Sequence, residues 1–581
     1  MRPTRPARRG AVVVAALAVT AALPAALPAA AVVDEPVTLS APGAAVGLSP
    51  IGTHETGVFD ESAAEIVAFH ARSQRVFTVN ADAGAVDVLD VSDPTSPTKV
   101  AAFVAEGAVS GDGSVVPAGA SANSLSVRED GLGVVAVQSP VKTDDGWLVF
   151  FDATATAPVP LGAVRVGALP DMVSLSADGR WAVVANEGEP AEDFSVDPEG
   201  SVGVVALPRT VAVPAQDAVR IADFHAFEAE GALPEGVRVF GPILDEERRV
   251  STNLEPEYVT VSGATAYVSL QEANAIAVVD LPSATVTRLL PLGWKDHGAD
   301  GAGLDPSDRD GRIDIRTVEG LRGLYMPDTV EAFTSRGTTY LVTANEGDAR
   351  EWGDYVEGAR VGALGRNGLP PVCVDSPLAG LTGNADLGRL NVTLEDGLRA
   401  DGSCYENLYS FGARSFAIWT TDGELVFDSG DQLEQITAQA VPGAFNSTHS
   451  ATNLEGRSDD KGPEPEGLTI GEVRGRTYAF VGFERVGGVV VYDVTVPSRA
   501  SFVTYVNNRD FSVSVEDDGV ASLGAAGDLG PEGLTFVPQH RSPSGSPLLV
   551  VGSEVSGTTT LFEVTSLTGP SVDRRPGGGT R

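Results

Sequence analysis

Acidic residues recur in this chain at one kind of place, the head of a short alternating apolar run. Pro170-Asp171-Met172-Val173, Pro256-Glu257-Tyr258-Val259, Pro327-Asp328-Thr329-Val330, Pro465-Glu466-Gly467-Leu468 and Pro531-Glu532-Gly533-Leu534 share the form. Glu65-Ile66-Val67 has it without the proline. A second acid closes the apolar run that follows: Glu187, Glu272, Glu346, Glu484 and Glu554. Carboxylates gathered in one place repel, by roughly 1 kcal/mol per pair 5 Å apart in water and about 3 kcal/mol at an effective dielectric near 20. Such a group needs cations, arginine partners or raised pKa values. Hard oxygen donors in a ring suit calcium, which takes about 6–8 oxygens in irregular geometry, and other divalent metals are alternatives. The competing reading is that each acid accepts backbone N–H groups at a turn and binds nothing.

Basic residues interrupt the same stretches. Arg350 follows Glu346 and Asp348, Arg414 stands in Gly412-Ala413-Arg414-Ser415, and Arg457 and Lys461 precede Glu464. Carboxylates holding a cation beside arginines make a site for a phosphate or sulfate group. Equally, the same four cations neutralise neighbouring acids. A separate candidate is Asp305-Pro306-Ser307-Asp308-Arg309-Asp310-Gly311, whose spaced aspartates resemble a calcium loop. Pro306 and the missing closing glutamate depart from an EF-hand, so a calcium-stabilised insertion loop and an Asp-rich turn both stand. No G-x-S-x-G elbow, P-loop or H-E-x-x-H occurs, and the six histidines lack ligand spacing.

The elements that must position these acids are short strands. The phrase acid-strand, strand-acid, strand recurs seven times from Glu65 to Glu563, with Asn123 and Gln138 standing in for acids in the second unit. No amphipathic helical repeat separates the units, which points to an all-β, seven-bladed β-propeller with long loop insertions. In a blade, the start of the first strand and the end of the second lie on one face, so both sets of acids converge at one mouth of the channel. The last unit lacks a fourth strand, and Gly47–Thr53 supplies one, so the N-terminal segment closes the final blade. Insertions fall at 208–253, 293–325 and 353–410, lengths that in a compact domain serve function or are locally ordered.

The 581 residues carry 40 basic against 79 acidic side chains, a net charge of −39. That balance argues against nucleic acid and anionic membranes as partners. Arg2, Arg5, Arg8 and Arg9 precede an apolar run and a small-residue site at Ala29-Ala30-Ala31, the form of an export signal over 1–31. A linker over 32–46, a propeller over 47–565 and a disordered tail over 566–581 complete the expected organisation. A secreted monomer without a transmembrane anchor is expected. In an exported chain the two cysteines, Cys373 and Cys404, suggest a disulfide across an insertion, with free thiols as the alternative.

Several stretches resemble the choice-of-anchor I family: Asn345-Glu346-Gly347-Asp348-Ala349-Arg350-Glu351-Trp352, Gly412-Ala413-Arg414-Ser415-Phe416, Arg457 through Gly467, Leu304 through Gly311, and Asn507-Asn508-Arg509-Asp510-Phe511. The resemblance implies a secreted or surface propeller, akin to mesenchyme-specific cell surface glycoproteins; some relatives carry an alkaline-phosphatase label. The expectation is a calcium-binding extracellular binding protein. The alternative is a metal-dependent phosphoesterase with its site at the acidic mouth, and no catalytic residue set is carried over.

Overall fold

The strands of one unit differ in burial in a fixed way, and that difference orders them within a sheet. The first strand mixes buried and half-buried residues, as in Pro170–Leu175. The second and third, such as Trp181–Asn186 and Ser201–Ala206, are buried along nearly their whole length. An outer strand such as Thr98–Val104 is mostly exposed. Runs of Val, Ala and Ile suit the middle position, where both faces of a strand pack against neighbouring sheets.

The computed structural model describes residues 32–567. The expected export signal and the tail beyond 567 lie outside the described residues. Sheet A comprises Val67–His70, Arg75–Asn80, Ala85–Asp90 and Thr98–Val104. Sheet B comprises Ser121–Val127, Leu132–Gln138, Asp145–Asp152 and Pro160–Ala168. Sheet C adds Val219–Ala222 outside the three strands already given. Sheet D comprises Pro256–Ser262, Thr265–Leu270, Ala275–Asp280 and Thr285–Pro291. Sheet E comprises Val330–Ser335, Thr338–Asn345, Ser415–Thr420 and Leu425–Asp428, its two middle strands separated by the long insertion.

The last two sheets recruit the chain's beginning. Sheet G runs Pro531–Val537, Leu548–Ser553 and Thr558–Ser566, and Val46–Glu55 pairs antiparallel to its last strand as the fourth. Sheet F runs Pro465–Val473, Arg476–Phe483, Val489–Asp493 and Ser501–Asn507, with Val37–Ser40 added as a fifth, edge strand. The segment 32–46 is therefore not merely a linker: Val37–Ser40 is a strand too short and too close to Pro36 to stand out by alternation. Likewise the stretch 208–253 is not wholly an insertion, because Val219–Ala222 completes sheet C.

First strands of successive sheets pack side by side from A through G, and the first strand of G returns to that of A. This is the radial arrangement of a β-propeller, which leaves few exposed edges. Apolar clusters fill the wedges between sheets; Phe77 and Val79 of sheet A meet Leu125, Val135 and Phe151 of sheet B. Each such side chain contributes about 1.5–3 kcal/mol on burial. The insertions form their own small structure, with Trp294–Asp296, Leu321–Leu324 and Leu408–Ser410 in one sheet and a Cys373–Cys404 disulfide. Among the described residues, no helix is long and apolar enough to cross a membrane.

Neighbouring sheets approach closely at two of their strand openings. A Cβ on Gly467 would lie 1.6 Å from the carbonyl oxygen of Glu532, and one on Gly533 would lie 2.5 Å from that of Glu65. The glycine after the acid thus admits the next sheet's backbone. Gly467→Ala is expected to cost about 3 kcal/mol, the upper range for overpacking, measured by equilibrium denaturation. A loss below about 0.5 kcal/mol, typical of a neutral surface change, would mean the two backbones separate freely.

Candidate functional site: the acidic mouth

The proline that opens a first strand is followed by a bulge, and the acid sits in it. Register shifts fall between Pro170 and Val173, Pro256 and Val259, Pro465 and Leu468, and Pro531 and Leu534. Two residues without ladder partners let the strand bend and turn a side chain out of the sheet; here those side chains are Asp171, Glu257, Glu466 and Glu532. In sheet B the shift between Ala122 and Ser124 gives the same place to Asn123, whose Nδ2 donates to Gln138 Oε1 (3.1 Å) and Pro170 O (3.1 Å). The residue before the proline takes a left-handed conformation at Leu169 (φ 47°), Met326 (41°), Glu464 (53°) and Gly530 (68°). Its carbonyl accepts the N–H of the acid that ends the second strand: Glu187 to Leu169 (2.9 Å), Glu484 to Glu464 (2.9 Å) and Glu554 to Gly530 (2.8 Å). Both sets of acids are thereby locked onto one end of the ring.

Two groups bring three ligand oxygens each within 4.8 Å of one another: Glu65, Glu532 and Glu554, and Glu346, Glu464 and Glu484. Their electrostatics differ. Glu464 is fully buried and ion-paired to Arg457 (2.6 Å), Arg485 (2.9 Å) and Lys461 (3.4 Å). Lys461 also pairs with Glu346, and Arg485 with Glu484 (2.8 Å). Three carboxylates thus face three cations. Burial opposes ionisation of Glu464, but Lys461, Arg457 and Arg485 outweigh it and hold its carboxyl well below the usual range.

Glu65, Glu532 and Glu554 have no ion-pair partner within 4.0 Å among the described residues. Ser62 Oγ donates to Glu554 Oε2 (3.2 Å), while Glu532 Oε2 is shielded from solvent without any hydrogen-bond partner. Burial, reinforced by Glu554 and Asp171, pushes Glu65 up to about 8. Burial followed by Glu65 and Glu554 raises Glu532 well above the usual range. The rest of the ring behaves alike: burial raises Asp171 and Glu272 to about 7 each, and burial with neighbouring acids raises Glu187, Glu257, Asp328 and Glu466. Oxygens of Glu257, Glu272, Glu466 and Glu484 also lack partners. The mouth is a set of oxygen donors with too few internal cations.

A family model for the choice-of-anchor I domain matches residues 65–497. The chain belongs to the choice-of-anchor I family. Among curated proteins it is similar to Gigasin-3a of Magallana gigas, 33% identical over 198 residues covering 33% of this chain and 69% of that protein. It is also similar to the mesenchyme-specific cell surface glycoprotein of Strongylocentrotus purpuratus, 32% identical over 277 residues. That match covers 42% of this chain and 35% of the glycoprotein. Similar solved structures include a streptogramin B lyase (TM-score 0.40, 9% identity, covering 90% of this chain and 98% of that one). Another is the hydrazine synthase of Kuenenia stuttgartiensis (TM-score 0.40, 12% identity, 87% and 96%). Neither of these two likenesses bears on function.

Three of the stretches that resemble the choice-of-anchor I family meet at Arg414. Arg414, 3% exposed, donates to Asp305 O (2.8 Å), Ser458 O (2.7 Å) and Asp460 O (2.8 Å) and pairs with Glu434 (2.7 Å). Arg350, 2% exposed, donates to Asn253 Oδ1 (2.7 Å), Asn253 O (2.6 Å) and Glu255 Oε2 (2.9 Å) and stacks against Phe240 and Trp352. Both guanidinium groups are enclosed and spent on internal acceptors, which overturns their reading as anion ligands. Arg457 and Lys461 remain at the mouth but act as counter-charges to Glu464 and Glu346.

The aspartate loop does not gather either. Asp305 is buried and accepts the N–H groups of Ser307 (3.3 Å) and Asp314 (3.1 Å). Asp308 pairs with Arg389 (2.9 Å), and Asp310 with Arg312 (3.1 Å). Their oxygens point to separate partners, so these three make a braced turn instead of a calcium loop. Asp348 lies exposed, 3.5 Å from Lys461. Sequence reasoning missed Arg485, the residue after Glu484, whose only signal was adjacency to a ring acid. It also missed Glu331, which lines the channel below the mouth and which burial raises to about 7.

Proposed function

We propose that this chain is an extracellular, seven-bladed propeller of the choice-of-anchor I family that acts as a binding protein, with a divalent cation held at its acidic mouth. The observation that carries the cation is the trio Glu65, Glu532 and Glu554, with ligand oxygens within 4.8 Å and no ion pair within 4.0 Å among the described residues, Arg485 acting on Glu554 only from farther away. Asp171 and Glu257 line the same mouth, and calcium, which accepts many carboxylate oxygens at irregular angles, is the first choice. The cation replaces the protons that burial otherwise holds on these oxygens. An extracellular or surface location is supported by the name of the sea-urchin relative and by the Cys373–Cys404 disulfide, a bond favoured in oxidising compartments.

Titration calorimetry with calcium tests the reading. Saturable binding that Glu532→Gln weakens supports it; absence of heat, with no effect of chelator on melting, removes it. A chromogenic phosphomonoester assayed with calcium and after chelation tests the phosphoesterase alternative. Turnover lost on chelation would replace a binding role with a catalytic one.

A further inference from the structure

At the end of the ring opposite the acids, arginines gather in one place. Hairpins joining first and second strands turn there, and arginines occupy them: Arg72 in sheet A, Arg128 in B, Arg180 in C and Arg541 in G. These four sheets are neighbours around the ring. With Arg209, just beyond the third strand of sheet C, they line one hollow of ≈ 730 Å³. Five arginines there meet three carboxylates, Glu129, Asp130 and Asp178, in a chain where acids outnumber bases 79 to 40.

The arginines divide into braced and free. Arg128 is held in place: its Nε and Nη2 donate to Asp130 (2.8 and 2.9 Å), and Nη1 donates to the carbonyls of Gly179 (3.0 Å) and Pro208 (2.8 Å). Arg180 pairs with Asp178 (2.6 Å) and Arg541 with Glu129 (3.2 Å). Arg72 and Arg209 are exposed and make no hydrogen bond or ion pair among the described residues. A structural role would consume these guanidinium groups in internal acceptors, as Arg350 and Arg414 are consumed at the other end.

We infer that this hollow is a second binding site, for a small ligand bearing a tetrahedral oxyanion, a phosphate or sulfate ester. The planar guanidinium fork binds two oxygens of such a group at once, which an ammonium cannot do. The volume lies in the range of small-molecule sites, about 300–1,000 Å³. Arg72 and Arg209 supply the unspent donors, and Arg128 fixes the floor. Free phosphate, a phosphate ester and a sulfated sugar share this chemistry. The site stands independently of the cation at the mouth.

Calorimetry at low ionic strength, with chelator present, using inorganic phosphate, inorganic sulfate, glycerol phosphate and a sulfated disaccharide as separate probes, tests it. At least one probe is expected to bind saturably, and the double variant Arg72→Ala/Arg209→Ala to weaken that binding about tenfold or more, the loss of two charge-assisted contacts. Both side chains lack internal partners, so the variant keeps its fold. Arg336→Ala, an exposed hairpin arginine outside the hollow, and Glu532→Gln at the mouth are expected to leave it unchanged. No saturable binding of any probe, equal binding by the double variant, or binding that requires calcium would each overturn the assignment, the last by moving the anion to the mouth.

Discussion

Replacing Glu464 with glutamine is expected to cost about 3–5 kcal/mol of unfolding free energy, the range for breaking a buried ion pair on one side. Its carboxylate is fully buried and answers Arg457, Arg485 and Lys461 together. Glutamine keeps the shape and the left-handed backbone at φ 53° but leaves the buried Lys461 and the half-buried Arg457 and Arg485 short of a counter-charge. Adding Lys461→Met is expected to restore part of the loss, a coupling that a double-mutant cycle reads directly. Because neighbouring cations hold the folded-state carboxyl of Glu464 below its unfolded value of 4.5, its contribution is intact above that pH and disappears as pH falls through the folded pKa. Denaturant midpoints at neutral pH check the magnitude. A cost below about 1 kcal/mol, the scale of a surface pair, would show that the three cations find other partners or solvent.

The strand phrases and the acids that head them were readable because they are local: a proline, an acid and an alternating apolar run lie within a few residues. Closure of sheet G by Val46–Glu55 followed from the missing fourth strand of the last unit. What could not be read was pairing across the fold. Arg350 finds Glu255, 95 residues away, and Arg414 finds Ser458 and Asp460 across 44 and 46 residues. No local pattern distinguishes a guanidinium bound for the interior from one facing a ligand. The aspartate loop misled for the same reason, since Asp308 is taken by Arg389, 81 residues on. The strand Val37–Ser40 was missed because four residues carry little alternation, and only an unsatisfied sheet edge gives them a place.

The bulge explains why similar sequences at each opening yield a shared site instead of isolated turns. A regular strand would send alternate side chains to opposite faces; two residues opposite one break that alternation and re-aim the acid toward its neighbours at the mouth. Asn123 in sheet B keeps the geometry and drops the charge, so the ring is uneven. The trio of sheets A and G makes no direct ion pair among the described residues, and the trio of sheets E and F is neutralised by its own arginines and lysine.

Calcium is expected to stabilise the protein far more at pH 8 than at pH 5. The folded-state carboxyls of Glu65 (about 8), Asp171 and Glu272 (about 7 each) lie above their unfolded values of 4.5 for glutamate and 3.8 for aspartate. Across the window from roughly pH 4 to 8 the calcium-free fold therefore holds protons that the unfolded chain has released. Linkage then requires its stability to fall as pH rises through that window, because the ring must ionise against burial and its own repulsion. A cation at the mouth removes this penalty; at a concentration of 100 Kd it adds about 2.7 kcal/mol. At pH 5 the same oxygens carry protons that calcium must displace, so its affinity falls and protons are released on binding. Melting curves at the two pH values, with calcium and with chelator, read the difference, and proton release in weak buffer reads the exchange. Glu532→Gln mimics the protonated acid: it is expected to leave calcium-free stability at or above that of the wild type and to abolish most of the calcium shift. Equal shifts at both pH values, or calcium binding without proton release, would mean that the cation sits elsewhere than on these carboxylates.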